Sequence, residues 1–600
     1  MRFDTRRWLR RGLVGFAGMS FFWGCHGRTV SLEEAKVQRY EERMAAERFE
    51  AVPEPTRIDA PAPVELQGKV ATTQPAVDAV LWLHVPDPSM ATEAFAKRLE
   101  VTRFSDSVRR EYEKKIFPKA ERYIKQIHRD KTFRLTLSDA LRRALANNYQ
   151  IHIDSFTPAI STAQAVQAEA AFDTAFFANV NRNNTNRPTP SQLLASNTDT
   201  TTVSGGIRKL LATGAAVTLT QAMTRIDNPG FQFNTLNPSW VHTFVAEIRQ
   251  PILRNFGIDF NRSQITLRVL EQQSNREAFR ATVIDTLNNT ERAYWDLVAA
   301  RRDVTISAEL LAHAEQTYDQ IEARIDFDAY ITLLSRSAAN VSQQQFNYLS
   351  VKNRVRNAED QLLNLLNDPE LPLSADIEVI PVDNPITTPL VRDRFHEVQI
   401  ALERRPELVQ ARRGVDIARL QLGIAKNQAL PQVDVTYRAT FNGLGANADR
   451  SFDQQTGANF VDQFVGVQIA WNFGERAERA GIRIATLQQS QAVAAYKRAL
   501  DDVITDCRVA LRNLDTSLEQ IRPSRDAVAS SFDNLRAQQE RQERKSPADL
   551  DSVLNSQTSL AQSRRALLQA VVAYNQGIVD VERAKGTLLE YNNVVLTERP

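Results

Sequence analysis

Two cysteines in 600 residues, Cys25 and Cys507, are too few for a disulfide framework. Glycine (21) and proline (24) are also scarce. That argues against a string of small turn-connected domains, although length alone suggests three or four, and favours extended helices. Charge of one sign is missing: 74 Lys and Arg face 72 Asp and Glu, so the charges read as solvated helix faces and nucleic acid is not an expected partner. Beyond the N-terminus no apolar run reaches the roughly 18 residues of a membrane-spanning helix, and mean hydropathy is −0.37. This excludes a protein with several helical spans but not a β-barrel, whose alternating strands average away in a global score. Enzyme signatures are absent: His396-Glu397 has no second His at helical spacing, and Gly205-Gly206 and Gly214 make no phosphate-cradling loop. No catalytic residue, cofactor or metal site is expected.

What is present begins at the N-terminus. Arg2, Arg6, Arg7, Arg10 and Arg11 precede the apolar stretch 12–24, which is too short to span a bilayer and reads as an export signal over 1–24. Cys25 follows directly, as in the lipobox of bacterial lipoproteins, and is the expected lipidation site. Residues 25–130 form an N-terminal extension with a Pro-rich linker at 51–75.

The chain then repeats itself. LSDALRRALANNYQI at 137–151 aligns with QIALERRPEL at 399–408, pairing Asn147-Asn148-Tyr149 with Arg404-Arg405-Pro406. Asn-Phe-Gly occurs literally at 255–257 and 472–474. A period above two hundred residues is far longer than a solenoid unit, so the chain reads as two duplicated halves, 131–368 and 391–600, joined by a linker at 369–390.

Within each half the hydrophobic period switches from 3.6 to 2. Val433, Val435, Tyr437, Ala439 and Phe441 alternate with polar residues, as do Val465, Val467, Ile469, Trp471 and Phe473. These are strands about ten residues long with one apolar face, the length that crosses a bilayer when tilted. Matching strands are expected at 172–181 and 241–252, with an extra pair at 203–210 and 215–223. The competing reading is a soluble sheet packed on a core. Four to six strands cannot close a barrel, which needs about eight, so a membrane barrel requires several copies of the chain.

After each Asn-Phe-Gly a helical pattern runs for about seventy residues, close to 100 Å at ~1.5 Å per residue. Val553, Leu560, Leu567, Tyr574, Val581 and Leu588 recur every seven residues, with Val571 and Ile578 on the same seam, and Val283, Leu287, Tyr294 and Val298 keep similar spacing. Two shorter helices, 138–171 and 330–367, add up to about one long one and are expected to stack end to end beside it.

From about 135 to 596 the order of these features resembles the TolC-like outer-membrane efflux proteins. Its marks are LTLSDALRRALANN, ALERRPEL, QPILRNFG running into a helix with Ala293-Tyr294-Trp295-Asp296-Leu297, PQVDVTYRAT, and the closing heptad helix. The resemblance implies a mainly α fold with a membrane β-barrel sector: a homotrimer forming a 12-stranded barrel in the outer membrane, continued by a long α-helical coiled-coil tunnel through the periplasm. It also implies a passive export duct of a tripartite efflux or type I secretion system, working with a periplasmic adaptor (membrane fusion) protein and an inner-membrane transporter. The alternative from another class is a periplasmic coiled-coil scaffold or adaptor without a pore. The turns between long and short helices correspond to the periplasmic tip of that family. There Asp326, Asp328 and Asp549, with Arg324, Arg544 and Lys545, are candidate gate residues, because in a threefold tunnel each carboxylate would recur as a ring.

Overall fold

The computed structural model describes residues 116–190, 195–229, 235–324, 331–390, 392–544 and 550–596. Cys25, Asp326, Asp328, Lys545 and Asp549 lie outside the described residues, as do the export signal and the Pro-rich linker.

Each half contributes helices and strands in the expected order. The first opens with helix α1 (Phe117–Lys125), strand β1 (Lys131–Leu135) and helices α2 (Leu137–Asn147) and α3 (Tyr149–Glu169). Strands β2 (Ala175–Asn186), β3 (Asn197–Leu210), β4 (Ala216–Asp227) and β5 (Ser239–Pro251) follow, then the long α4 (Ser263–Glu322) and α5 (Ile331–Leu366). Strand β6 (Ile377–Pro381) lies between the halves. The second half has α6 (Arg394–Arg404), α7 (Pro406–Gln428), β7 (Gln432–Gly445), a short α8 (Ala448–Thr456), β8 (Val461–Ala470), the 69-residue α9 (Arg476–Arg544) and α10 (Leu550–Lys585).

The duplication is visible in the backbone. The α2–α3 break falls at Asn148 (φ −63°, ψ 123°) and the α6–α7 break at Arg405 (φ −66°, ψ 123°), the two residues paired by the sequence repeat. They reach the same conformation by different chemistry. Asn148 caps α3 by accepting from the Gln150 and Ile151 amides, at 2.8 and 3.2 Å, whereas Pro406 occupies the first turn of α7, where its missing N–H costs nothing. Gly257 and Gly474, ending the two Asn-Phe-Gly triplets, both take positive φ (106° and 96°), which turns the chain from strand to helix.

Four helices lie abreast at each level. Nearer the sheet, α3 packs on α4, α4 on α7, and α7 on α9; farther away, α5 packs on α4, α4 on α10, and α10 on α9. The heptad seam is the core, with Val571, Tyr574 and Val581 fully buried beside Tyr294, Leu297 and Val298, and Leu588 buried with Val283 and Leu287. Cys507 is a free thiol within this core.

Two features depart from the sequence reading. The linker is pinned: β6 pairs in parallel with β1, Lys131 opposite Ile377 through Leu135 opposite Pro381. The Tyr294 hydroxyl accepts from the Val382 and Asp383 amides (3.2 and 3.1 Å) and donates to Asp383 Oδ2 (2.8 Å), while Tyr574 donates to the Thr388 carbonyl (2.7 Å). Nor are the charges all solvated. Glu378 on β6, 1% exposed, accepts from Arg301, from His128 Nδ1 (3.0 Å) and from the Arg129 amide (3.0 Å), and Arg301 also reaches Glu359 (3.1 Å).

Candidate transport surface of the sheet

The six long strands form one antiparallel sheet in the order β2-β3-β4-β5-β7-β8. The extra pair is therefore real. Four strands per chain, the number a 12-stranded trimeric barrel presumes, is too few here, because the Thr-rich β3 and β4 pair along their whole length and insert between β2 and β5.

Paired residues share a face, so the register separates two chemistries. One face carries Phe176, Val180, Val203, Ile207, Val217, Leu219, Phe244, Ala246, Ile248, Val433, Val435, Tyr437, Ala439, Phe441, Val465, Val467 and Ile469. It is bare: Phe176 is 78% exposed, Val180 73% and Val465 71%. At the end next to the helices it is bordered by exposed Phe256, Trp471 and Phe473, the aromatic edging of a bilayer-facing surface. At the far end it turns polar, with Arg182 paired to Asp199 (2.6 Å) and Arg225 to Asp227 (2.9 Å).

The opposite face carries Asn179, Asn181, Thr200, Thr202, Thr218, Thr220, Glu247, Arg249, Asp434, Thr436, Arg438 and Gln468. Four of its charges are neutralised in pairs. Arg438 Nε lies 2.6 Å from Glu247, and Arg249 holds Asp434 Oδ2 through Nε (3.2 Å) and Nη2. Its two large aromatics are covered by guanidinium groups, Arg208 over Phe177 and Arg438 over Phe464.

Three polar residues interrupt the middle of the apolar face: Gln221, His242 and Gln463. Helix α8 covers the first two. Gln455 exchanges two amide hydrogen bonds with Gln221 (2.8 and 2.9 Å), and Ser451 Oγ lies 2.6 Å from His242 Nδ1. Gly443 and Gly445 make room: a Cβ on Gly443 would fall 1.9 Å from the Ser451 carbonyl oxygen. The bare band on β7 then runs from Val433 to Phe441, about 27 Å along the strand at ~3.3 Å per residue. Sequence reasoning missed this helix, which is short and polar; its one local signal is Asn447, whose side chain caps it through the Arg450 amide (3.1 Å).

Of the other predicted residues, Arg324 follows α4, its amide bonded to the Ile321 carbonyl, and Arg544 is the last residue of α9. Arg336 on α5 and Asp551 on α10 form a 2.9 Å ion pair near these two turns. Among the described residues no group of three or more His, Cys, Asp or Glu is placed to hold a metal ion, and no helix is long and apolar enough to cross a membrane.

A sheet sector with one apolar and one largely polar face, carried on helices of 60 and 69 residues, is the build of a membrane β-barrel sector. The sequence profile described as Outer membrane efflux protein matches residues 398–587. The chain is 25% identical over 325 residues to Outer membrane protein TolC of Salmonella enteritidis and 23% identical over 320 residues to that of Escherichia coli K12. Each alignment covers 51% of this chain, which spans 62% of the length of these relatives. Among solved structures, a membrane protein from Pseudomonas aeruginosa matches with a TM-score of 0.58 at 18% identity, covering 75% of this chain and 93% of the other. The Campylobacter jejuni CmeC outer membrane channel matches at 0.56 and 15%, covering 75% and 86%. The chain is similar to the TolC-like outer membrane efflux proteins in sequence, with the family profile on 398–587, and in fold over three quarters of its length, and its place is the bacterial outer membrane.

Proposed function

We propose that the protein is the outer-membrane duct of an export system, assembled as a homotrimer. The observation that carries this reading is the six-stranded sheet, whose outermost strands β2 and β8 have no further neighbour among the described residues. Six strands are too few to close in a bilayer, and a spanning sheet must close, so further copies supply the rest of the wall. The apolar face then meets lipid, the face with Arg249, Asp434, Glu247 and Arg438 lines water, and the helices continue the wall as a periplasmic tunnel. Cargo moves passively. The described residues hold no nucleotide-binding loop, so energy comes from an inner-membrane transporter coupled through an adaptor protein, in a tripartite efflux or type I secretion arrangement.

Lipid on Cys25 anchors the chain to the inner leaflet of that membrane. Intact mass measurement of the purified protein is expected to show a diacylglyceryl and acyl mass on the mature N-terminus, lost in Cys25→Ser.

Extraction from outer membranes in mild detergent, native mass measurement and planar-bilayer recording test the duct. A trimer with stable conductance supports it. Monomeric protein released by carbonate, without conductance, sinks it in favour of the periplasmic scaffold.

A further inference from the structure

Three threefold-related sectors of six strands make eighteen strands, and this count has a geometric reason. Following paired residues from Ala175 across the ladders leads through Arg208, Thr218, Glu247 and Arg438 to Phe464, while β8 ends at Ala470. The sheet thus climbs about one residue per strand. With ~3.3 Å rise and ~4.8 Å spacing, that is a strand tilt of about 35°, the tilt of a closed membrane barrel.

At this tilt six strands span about 36 Å of circumference and four span about 24 Å. Four helices abreast, at ~8–10 Å between axes, span about 32–40 Å. Six strands match the helices beneath them; four would not.

The added hairpin is also built into the junction rather than looped out. Its turn, residues 211–215, docks where β5 hands over to α4. The Gly257 amide donates to the Thr213 carbonyl (3.3 Å), and Thr213 Oγ1 donates to Gln250 Oε1 (3.1 Å). Gly214, at φ 93°, is so close that a Cβ would fall 2.5 Å from the Asn255 carbonyl oxygen.

We infer that the β3–β4 hairpin widens the barrel to the width of the helical tunnel, so that the trimer forms an eighteen-stranded pore with no narrowing at the membrane. The inference rests on the trimeric duct proposed above. Its mean backbone radius is about 17 Å, against about 11 Å for twelve strands. The cargo class that fits is bulky, such as unfolded polypeptide or large amphiphiles, because the barrel no longer limits size.

The test compares the full chain with a variant lacking 197–227, which joins the far-end loops and lets β2 pair with β5. Both are reconstituted in planar bilayers with polyethylene glycols of graded size. The native trimer is expected to admit larger polymers, and the deletion to lower conductance about twofold with a smaller cut-off. A second pair of variants decides the matter where the deletion fails to assemble. In Thr220→Cys a membrane-impermeant thiol reagent is expected to reduce conductance, and in Leu219→Cys it is not. Identical conductance and cut-off with and without the hairpin, or a Thr220→Cys pore untouched by the reagent, overturns the inference while leaving the duct intact. A native protein with neither trimer nor conductance removes the duct reading, and this inference with it.

Discussion

Gln221 on β4 and Gln455 on α8 lie 234 positions apart and exchange a reciprocal pair of amide hydrogen bonds on the mainly apolar face of the sheet. Neither amide has another route to satisfaction if the face is turned to lipid, so helix and sheet hold each other. Gly443→Val fills the space that α8 occupies, against the Ser451 carbonyl and the Gln455 backbone, while both glutamine side chains are retained. The helix is expected to lift off, and trypsin to cut at Arg450 about tenfold faster in the assembled protein, since each unmade buried hydrogen bond costs about 1–3 kcal/mol. An unchanged cleavage rate would mean the berth is not formed.

Glu378 anchors the buried ion cluster. Despite the desolvation that opposes ionisation, hydrogen bonds from His128 and Arg301 hold its carboxyl down at about 2. A depressed folded-state value gives stability that is complete above the unfolded value of ~4.3 and is lost as pH falls through about 2. Scanning fluorimetry in detergent is therefore expected to show the native melting temperature falling between pH 4 and 2. Glu378→Gln should be flat in that window and less stable at pH 7, by about 3 kcal/mol for a broken buried pair.

Glu291 on α4 has the opposite sign. It is 4% exposed, its Oε2 has no hydrogen-bond partner, and burial pushes its carboxyl up to about 7. Its contribution is complete below the unfolded value and is lost as pH rises through about 7. Glu291→Gln is expected to stabilise the protein at pH 8, by about 2 kcal/mol, and to leave it unchanged at pH 5. Parallel melting curves at the two pH values would count against this.

Asp303 bridges three helices, accepting from Arg565 Nε (2.5 Å) and from Arg354 (3.1 Å). Asp303→Ala leaves two guanidinium groups facing each other across α4, α5 and α10, and is expected to lower stability by about 3 kcal/mol in denaturant titrations. Arg354→Ala alone, removing the more exposed partner, should cost less than 1 kcal/mol.

If the carboxylates of the α4–α5 turn form a ring, the pair Asp326→Asn and Asp328→Asn shifts the cation preference of the pore. Reversal potentials under a salt gradient measure it, and an unaltered preference removes the gate role.

Long periodic elements were legible. The heptads from Val553 to Leu588 are buried as their spacing demands, and the alternation of Val433 to Phe441 is one face of β7. The helix breaks at Asn148 and Arg405 fall where the repeat aligned them. What escaped depends on partners far apart in the chain. Glu378 meets His128 across 250 residues, and no local pattern separates such a carboxylate from the solvated ones around it. Strand β6 is five residues long, inside a segment whose prolines read as linker. The α8 berth was written only as irregularities, Gln221 and His242 where apolar residues belong and Gly443 and Gly445 at the end of a strand.

The β1–β6 pair sets an order of events for the chain as it is made. Lys131–Leu135 has its hydrogen-bond partner in Ile377–Pro381, so the first strand must wait for nearly 250 more residues before its ladder closes. The first half, with its bare apolar strands, spends that interval without the contact that fixes it to the linker. A chain of this design has to be kept soluble until its middle is made, and the first half is locked only when the linker strand arrives.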